Sequence, residues 1–290
     1  MSTWIAREFS VESQRVEQFT GEGAYHGSTK QKSRDVPRPR VETVSEVRPT
    51  TLERYHALGS TTIKEFDAVF PRRLRVVEQL DVPTQEQVRN DGVTFCWAPF
   101  EEALRLAGPL TRRVLEGMKH GLSGTKRYVY IDSKIQYFEP GDLPVDSCLR
   151  HIDGSIAVRD QRVLPFGVSI LHDMRARLEH RNPPRYMAYQ SSSHCATGFL
   201  GESFRLRIPE LIPNFNTFDA AVQNAGVSEI VHPAGAILGY DGLTVHWATP
   251  ATTSGWRLWV RCTETDVEIH PNASVIECYG TVFRPRRHAR

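Results

Sequence analysis

Apolar and polar positions fall into two regimes along the chain. Between residues 51 and 121 they recur at helical spacing. Ile63, Phe66, Val69 and Phe70 share one helical face behind a Thr62-Ile63-Lys64-Glu65 capping-box pattern, and Pro71 closes the run. The pattern predicts a second helix over Phe100 to Leu106. A third starts at Pro109, carries Leu110, Val114, Leu115 and Met118 on its apolar face, and stops at Gly121. From residue 127 the periodicity shortens. Arg127 to Phe138 is rich in β-branched and aromatic residues and ends in the turn sequence Glu139-Pro140-Gly141-Asp142. Further strands are predicted at 146–152, 155–159, 165–172, 185–192, 196–200, 203–207, 229–232, 236–239, 243–247, 256–263 and 275–283. A helix over Asn216 to Ala225 interrupts them, with Phe218, Ala221 and Val222 along one side.

Many short strands punctuated by Gly, Pro and Asn argue for a barrel or sandwich, not for alternating βαβ units. The expected class is mainly β with a helical N-terminal part. Three stretches follow, together one domain: an extended or partly disordered arm over 1–50, a helical segment over 51–126 packed on the core, and a β core over 127–290. Val36-Pro37-Arg38-Pro39-Arg40 in the arm must be extended, because proline restricts itself and its predecessor. The helical segment is read as a lid or as a homodimer surface.

Composition narrows the class. At 290 residues the chain can bury one sizeable core. A formal net charge of +2 argues against nucleic acid as the main partner, although Arg72-Arg73-Leu74-Arg75 and Arg284-Pro285-Arg286-Arg287-His288-Ala289-Arg290 would be its footprint. No apolar run approaches a membrane span, and the first residues lack an apolar signal core, so the expected location is cytoplasmic. The 5 cysteines form no Cys-x-x-Cys motif and are read as reduced thiols. No nucleophile elbow, P-loop or dinucleotide fingerprint stands in the right strand–helix context.

The chemistry gathers at a few positions. His151-Ile152-Asp153 on a strand puts the imidazole and the carboxylate on one face, because strand residues alternate. His246 is the best third ligand. Two imidazoles and a carboxylate occupy one face of an octahedron and leave the other positions open. Taken singly, each has an ordinary reading: His151 as a strand-end histidine bonded to backbone, His246 as a core histidine beside Trp247 and Trp259. Arg257 and Arg261 follow His246 by eleven and fifteen residues and share strand parity with Trp259. An inward arginine is costly unless it is paired or binds an anion, and its fork suits a carboxylate. The open alternative turns both arginines to solvent and buries Leu258 and Val260. His194 lies in a polar stretch, Gln190 to Cys195, that suits a loop or strand end near a barrel mouth, and it is read first as a solvated loop residue and second as a contact with substrate.

Asp241-Gly242-Leu243-Thr244-Val245-His246-Trp247-Ala248-Thr249-Pro250, followed by Gly255-Trp256-Arg257, resembles the last core strands of the iron(II)/2-oxoglutarate-dependent dioxygenases. The His246-to-Arg257 spacing is similar to that of the phytanoyl-CoA hydroxylase-like and taurine dioxygenase-like branches. With His151 and Asp153 upstream, the resemblance covers roughly residues 127–263 and leaves 1–120 unexplained. It implies a double-stranded β-helix, a cupin-like jelly roll, and it implies Fe(II), 2-oxoglutarate and O2. Carried over residue by residue, it implies that His151, Asp153 and His246 ligate iron and that Arg257 anchors 2-oxoglutarate. Tyr130, Lys134 and Gln136, which share one parity on strand 127–138, become further cosubstrate contacts. Arg261 matches a position that contacts an anionic substrate in some branches and could equally support the cosubstrate; with it, Trp259 and His194 are the candidate substrate contacts.

The leading expectation is therefore hydroxylation of a small molecule, with release of succinate and CO2. The carboxylate at Asp153 implies hydroxylation or a related oxidation, since halogenases of the family lack it. The alternatives are a nucleic-acid or protein hydroxylase of the same superfamily and, from another class, a non-catalytic metal-binding jelly-roll protein.

Overall fold

The computed structural model describes residues 12–14, 64–145, 148–153, 172–179, 181–212, 215–269 and 282–284. In chain order the elements are β1 (Glu12–Gln14), β2 (Glu65–Phe70), β3 (Arg75–Gln79), α1 (Gln85–Arg89), β4 (Ala98–Pro99), α2 (Phe100–Leu106), α3 (Pro109–Lys119) and β5 (Tyr128–Phe138). There follow β6 (His172–Asp173), α4 (Met174–Leu178), β7 (Arg185–Gln190), β8 (Thr197–Leu200), β9 (Phe204–Pro209), β10 (Leu211–Ile212) and α5 (Phe215–Asn224). The last are β11 (Glu229–Val231), β12 (Ala236–Asp241), β13 (His246–Ala248), β14 (Gly255–Thr265) and β15 (Val282–Arg284). The fold is mainly antiparallel β with few helices.

Six strands in the order β3-β12-β7-β14-β5-β4 form the largest sheet, and β11-β8-β13 form a smaller one. β14 is the spine of the large sheet, paired with β5 from Gly255↔Phe138 to Thr265↔Tyr128 and with β7 on its other side. Its outer residues Leu258, Val260 and Cys262 pack with Ile131, Met187, Tyr189 and Ile237. Val114, Leu115 and Met118 of α3 cover that layer. Asp91 caps α3 from a distance, accepting from the Leu110 and Thr111 amides at 2.6 and 3.1 Å. The inner residues Tyr186, Ala188, Leu238 and Tyr240 pack with Phe199 of the small sheet. Beyond that sheet, β2, β9 and α5 build a second apolar cluster around Phe70, Ile208, Phe218 and Trp247.

The helical reading of 62–70 is corrected: Glu65–Phe70 is a strand paired with β9, and Arg75–Gln79 is an edge strand of the large sheet. Phe66, Ala68 and Phe70 turn inward while Val69 stays 50% exposed, which a buried helical face would not allow. Phe66 and Phe70 fit both a period of two and a spacing of four, and pairing with β9 decides between them. The capping box sits later, where Thr84 and Gln87 bond reciprocally ahead of α1. The helices at 100–106 and 109–119 lie where the pattern puts them. The strand expected over 146–152 is absent from its described residues, where His151 makes only an isolated bridge to His246. The expectations at 155–159 and 165–171, most of 275–283, and most of the N-terminal arm lie outside the described residues.

Candidate metal centre

His151 and Asp153 belong to an extended segment laid beside β13. The His151 amide donates to the His246 carbonyl at 3.0 Å, and the His246 amide donates back at 3.1 Å. That reciprocal pair sets the two imidazoles 4.4 Å apart between ring centres. Trp247, the next residue of β13, lies so close over Gly198 that a Cβ there would meet its ring at 2.3 Å. The glycine lets β13 approach β8, and so fixes the depth of His246.

The ligand atoms of His151, Asp153 and His246 lie within 4.8 Å of one another. His246 Nε2 is 3.4 Å from Asp153 Oδ2, and His151 Nε2 is 3.7 Å from Oδ1. Both imidazoles are oriented from behind: His151 Nδ1 faces the Leu149 carbonyl at 2.8 Å and His246 Nδ1 the Thr244 carbonyl at 3.0 Å. A carbonyl only accepts, so Nδ1 carries the proton and Nε2 keeps its lone pair for a cation. Two histidines and one carboxylate, with Nε2 atoms and carboxylate converging, fit a divalent transition metal of the non-haem iron type. Burial pushes the Asp153 carboxyl up, but His246, Arg261 and His151 outweigh it and hold it well below the usual carboxylate range. Burial, and then the neighbouring His246, lower the His151 imidazole.

Arg261 reaches across the site. Its guanidinium donates to Asp153 Oδ2 at 3.3 Å and to Asp132 Oδ2 at 3.1 Å. The rings of Trp97, Trp259 and Tyr186 surround it at 5.4–5.5 Å. Asp132 is fully buried and also accepts from the Trp97 amide at 2.9 Å. Trp97 holds a left-handed backbone, φ 52°, which is uncommon for a bulky residue. Sequence reasoning passed over Asp132, Trp97, Tyr186 and Tyr240. Asp132 had a signal: an acid among inward positions of a core strand needs a cation, and the antiparallel register puts Arg261 opposite it.

Arg257 lies on the same face of β14, two strand periods or four residues away, about 13 Å along the strand. It is 3% exposed, forms no ion pair with any described residue, and its Nε makes no hydrogen bond. Burial lowers its pKa, which marks an uncompensated cation. Gln136, also buried, stands opposite it in register. His194 belongs to this end: its ring bonds to the Gly255 backbone, and burial and then Arg257 lower its pKa.

The remaining expected residues scatter. Lys134 donates to the Pro144 carbonyl at 3.4 Å and lies over the Trp259 ring at 5.8 Å. Tyr130 stands opposite Thr263, six residues and about 20 Å along the sheet from Arg257, and its hydroxyl accepts from the Ile269 amide at 3.2 Å. The structure does not bring it to Arg257. Of the basic run at 72–75, Arg73 is paired with Asp241 at 2.7 Å and Arg75 donates to the Gly121 carbonyl at 3.2 Å. The run at 284–290 lies almost wholly outside the described residues. Among the described residues Cys195 and Cys262 are free thiols. Among the described residues no helix is long and apolar enough to cross a membrane.

No protein-family model and no curated protein matches the chain. Among solved structures the chain is similar to one described as the crystal structure of the non-heme alpha ketoglutarate dependent carbocyclase SnoK from nogalamycin biosynthesis. The identity is 14% and the TM-score 0.34, over 76% of this chain and 82% of that one.

Proposed function

We propose that the protein is an Fe(II)- and 2-oxoglutarate-dependent oxygenase that oxidises a small molecule. The two facing sheets are then the halves of a double-stranded β-helix. The observation that carries the reading is the co-occurrence of two features, one beside β13 of the small sheet and the other on β14 of the large sheet. One is a His-Asp-His cluster with converging lone pairs, and the other is a buried arginine without an acid. A buried guanidinium with no counter-ion is costly, and a carboxylate from outside the chain offsets that cost with two parallel hydrogen bonds. A metal-binding protein without a cosubstrate has no use for it.

In this reading His151, Asp153 and His246 hold the metal. Arg257 holds the far carboxylate of 2-oxoglutarate. Iron with 2-oxoglutarate and O2 would supply oxidation of a C–H bond, coupled to decarboxylation to succinate and CO2. The chain supplies position and shelter. Arg261 and Asp132 fix the Asp153 carboxylate, and the rings of Trp97, Trp259 and Tyr186 wall the space beside it. Asp153 stays ionised at ordinary pH and remains a ligand.

The test is anaerobic titration with Fe(II) and then 2-oxoglutarate, following the weak visible charge-transfer absorbance of the chelate. The wild type should develop the band. Arg257→Ala should need about 100-fold more 2-oxoglutarate, the loss of a buried charge-assisted pair. Absence of the band, with Arg257→Ala indifferent to 2-oxoglutarate, overturns the cosubstrate assignment. Release of the metal from His151→Ala, Asp153→Ala and His246→Ala alike would support the ligand set, and undiminished binding in any one of them would remove that residue from it.

A further inference from the structure

The unpaired Arg257 does not stand alone. His232, fully buried, lies within electrostatic reach of it, and His194 lies beside it. Among the described residues, the buried atoms His232 Nδ1, His194 Nε2, Ser192 Oγ and Arg257 Nε have no hydrogen-bond partner. Native proteins leave few such atoms, and a cluster of them beside an unpaired cation describes a place built for a polar ligand.

The geometry of His232 restricts what it can offer. Its backbone is locked: the amide donates to the Thr197 carbonyl at 2.9 Å, and its carbonyl accepts from Gln190 Nε2 at 2.8 Å. Its Nε2 lies 2.9 Å from the Ala236 carbonyl, which can only accept. Nε2 therefore carries a proton in every state. The ring cannot turn its other tautomer to a ligand without setting a bare nitrogen lone pair against that carbonyl. Nδ1 then donates only if the ring holds a second proton.

Resting on the 2-oxoglutarate reading above, we propose that His232 is a second anchor for the far carboxylate beside Arg257, and that it takes up one proton when the ligand binds. Without the ligand the ring is neutral: burial, and with it Arg257, push its pKa down to about 4 against the opposing bond to the Ala236 carbonyl. An entering carboxylate opposes both influences: it neutralises Arg257 and, by accepting from the imidazolium, offsets the cost of charging a buried ring. Arg257 on β14 is the charged group that acts on His232, while β7 and β8 present Gln190 and Phe199, which do not titrate. His194 and Cys195 are the other titratable groups coupled to Arg257. The His-Asp-His cluster takes no part, since Phe199 stands between the His232 and His246 rings, 6.1 and 6.0 Å from them. The protein thus binds its dicarboxylate with a proton, and tightly only while that proton is available.

The experiment is calorimetric titration of the full-length, Fe(II)-loaded protein with 2-oxoglutarate under anaerobic conditions, in two buffers of different ionisation heat, from about pH 6 to about pH 8. The charge-transfer absorbance is followed alongside. The wild type should take up close to one proton per ligand at the acid end, and its affinity should fall by up to about tenfold per pH unit as that proton is lost. His232→Gln should keep the absorbance, lose about tenfold or more in affinity, and show neither proton uptake nor the pH slope. His194→Gln, whatever it does to affinity, should retain the proton uptake and the pH slope. If the wild type gives neither heat nor absorbance, the 2-oxoglutarate reading falls and this inference with it. If it gives both without proton uptake, the inference is wrong and the parent reading stands. The inference is equally wrong if His232→Gln keeps the wild-type slope, or if the uptake disappears in His194→Gln instead. Should His232→Gln fail to fold, the wild-type proton count together with the His194→Gln profile decides the matter.

Discussion

Arg261 and Asp132 bear on both stability and the site. Asp132 is wholly buried and Arg261 partly so, and the pair is completed by Asp153 and the Trp97 amide. Removing one partner of a buried ion pair leaves a charge uncompensated, which costs about 3 kcal/mol. Asp132→Ala should lower the denaturation midpoint accordingly, and it should weaken metal binding because Arg261 then pulls on Asp153 without the counterweight of Asp132. Equal midpoints for mutant and wild type in urea would contradict that account. His232 adds a pH signature to the ligand-free protein. Its folded pKa of about 4 lies below the ordinary imidazole value of about 6.5, so the unfolded chain binds the extra proton first. The contribution is complete above about pH 6.5 and is lost as pH falls toward 4, a loss of about 3 kcal/mol in all. Thermal melts over that range should show the fall in the wild type and a shallower one in His232→Gln.

Among the elements, β2 shows how pairing overrides pattern. Phe66, Val69 and Phe70 satisfy a helical spacing, yet the strand buries Phe70 against Phe204 and Phe218, at 4.9 and 5.3 Å between ring centres, and turns Val69 to solvent. Phe70→Ala should cost about 3–5 kcal/mol, whereas Val69→Lys should stay within about 0.5 kcal/mol. Equal costs, measured by urea denaturation, would restore a helical face. β13 is short, and its hold on β8 depends on Trp247 lying against Gly198. Gly198→Val should destabilise the protein by about 1–3 kcal/mol and, by displacing His246, weaken metal affinity in the same variant. Gly198→Val with wild-type metal affinity would show that β13 can shift without moving its histidine.

Over the whole molecule, the His-Asp-His cluster ties the segment at 151–153 to β13, which the backbone otherwise holds by two hydrogen bonds. A metal that binds only the folded arrangement should stabilise it by about 2.7 kcal/mol at a hundredfold excess over its dissociation constant. The midpoint of thermal unfolding should rise on adding Fe(II) or Co(II) anaerobically, and a chelator should reverse the rise. A metal that leaves the midpoint unchanged would mean that the three ligands do not close on it together.

Much of this was legible in the chain itself, and the reason is local. His151-x-Asp153 puts an imidazole and a carboxylate on one face because extended residues alternate, and Arg257, Trp259 and Arg261 share a face for the same reason. The helices at 100–106 and 109–119 and the long strands at 128–138 and 255–265 follow from periodicity and end signals within their own residues. What needed the tertiary structure is whatever depends on a partner distant in sequence. Strand pairing made β2 a strand. The register of β5 against β14 put Asp132 opposite Arg261 and carried Tyr130 away from Arg257. The Ala236 carbonyl and the burial beside Arg257 turned His232, which no motif distinguishes, into a histidine with one bare nitrogen. Residue type and spacing decide which groups can do chemistry; long-range pairing and burial decide which of them meet, and which are left needing a ligand.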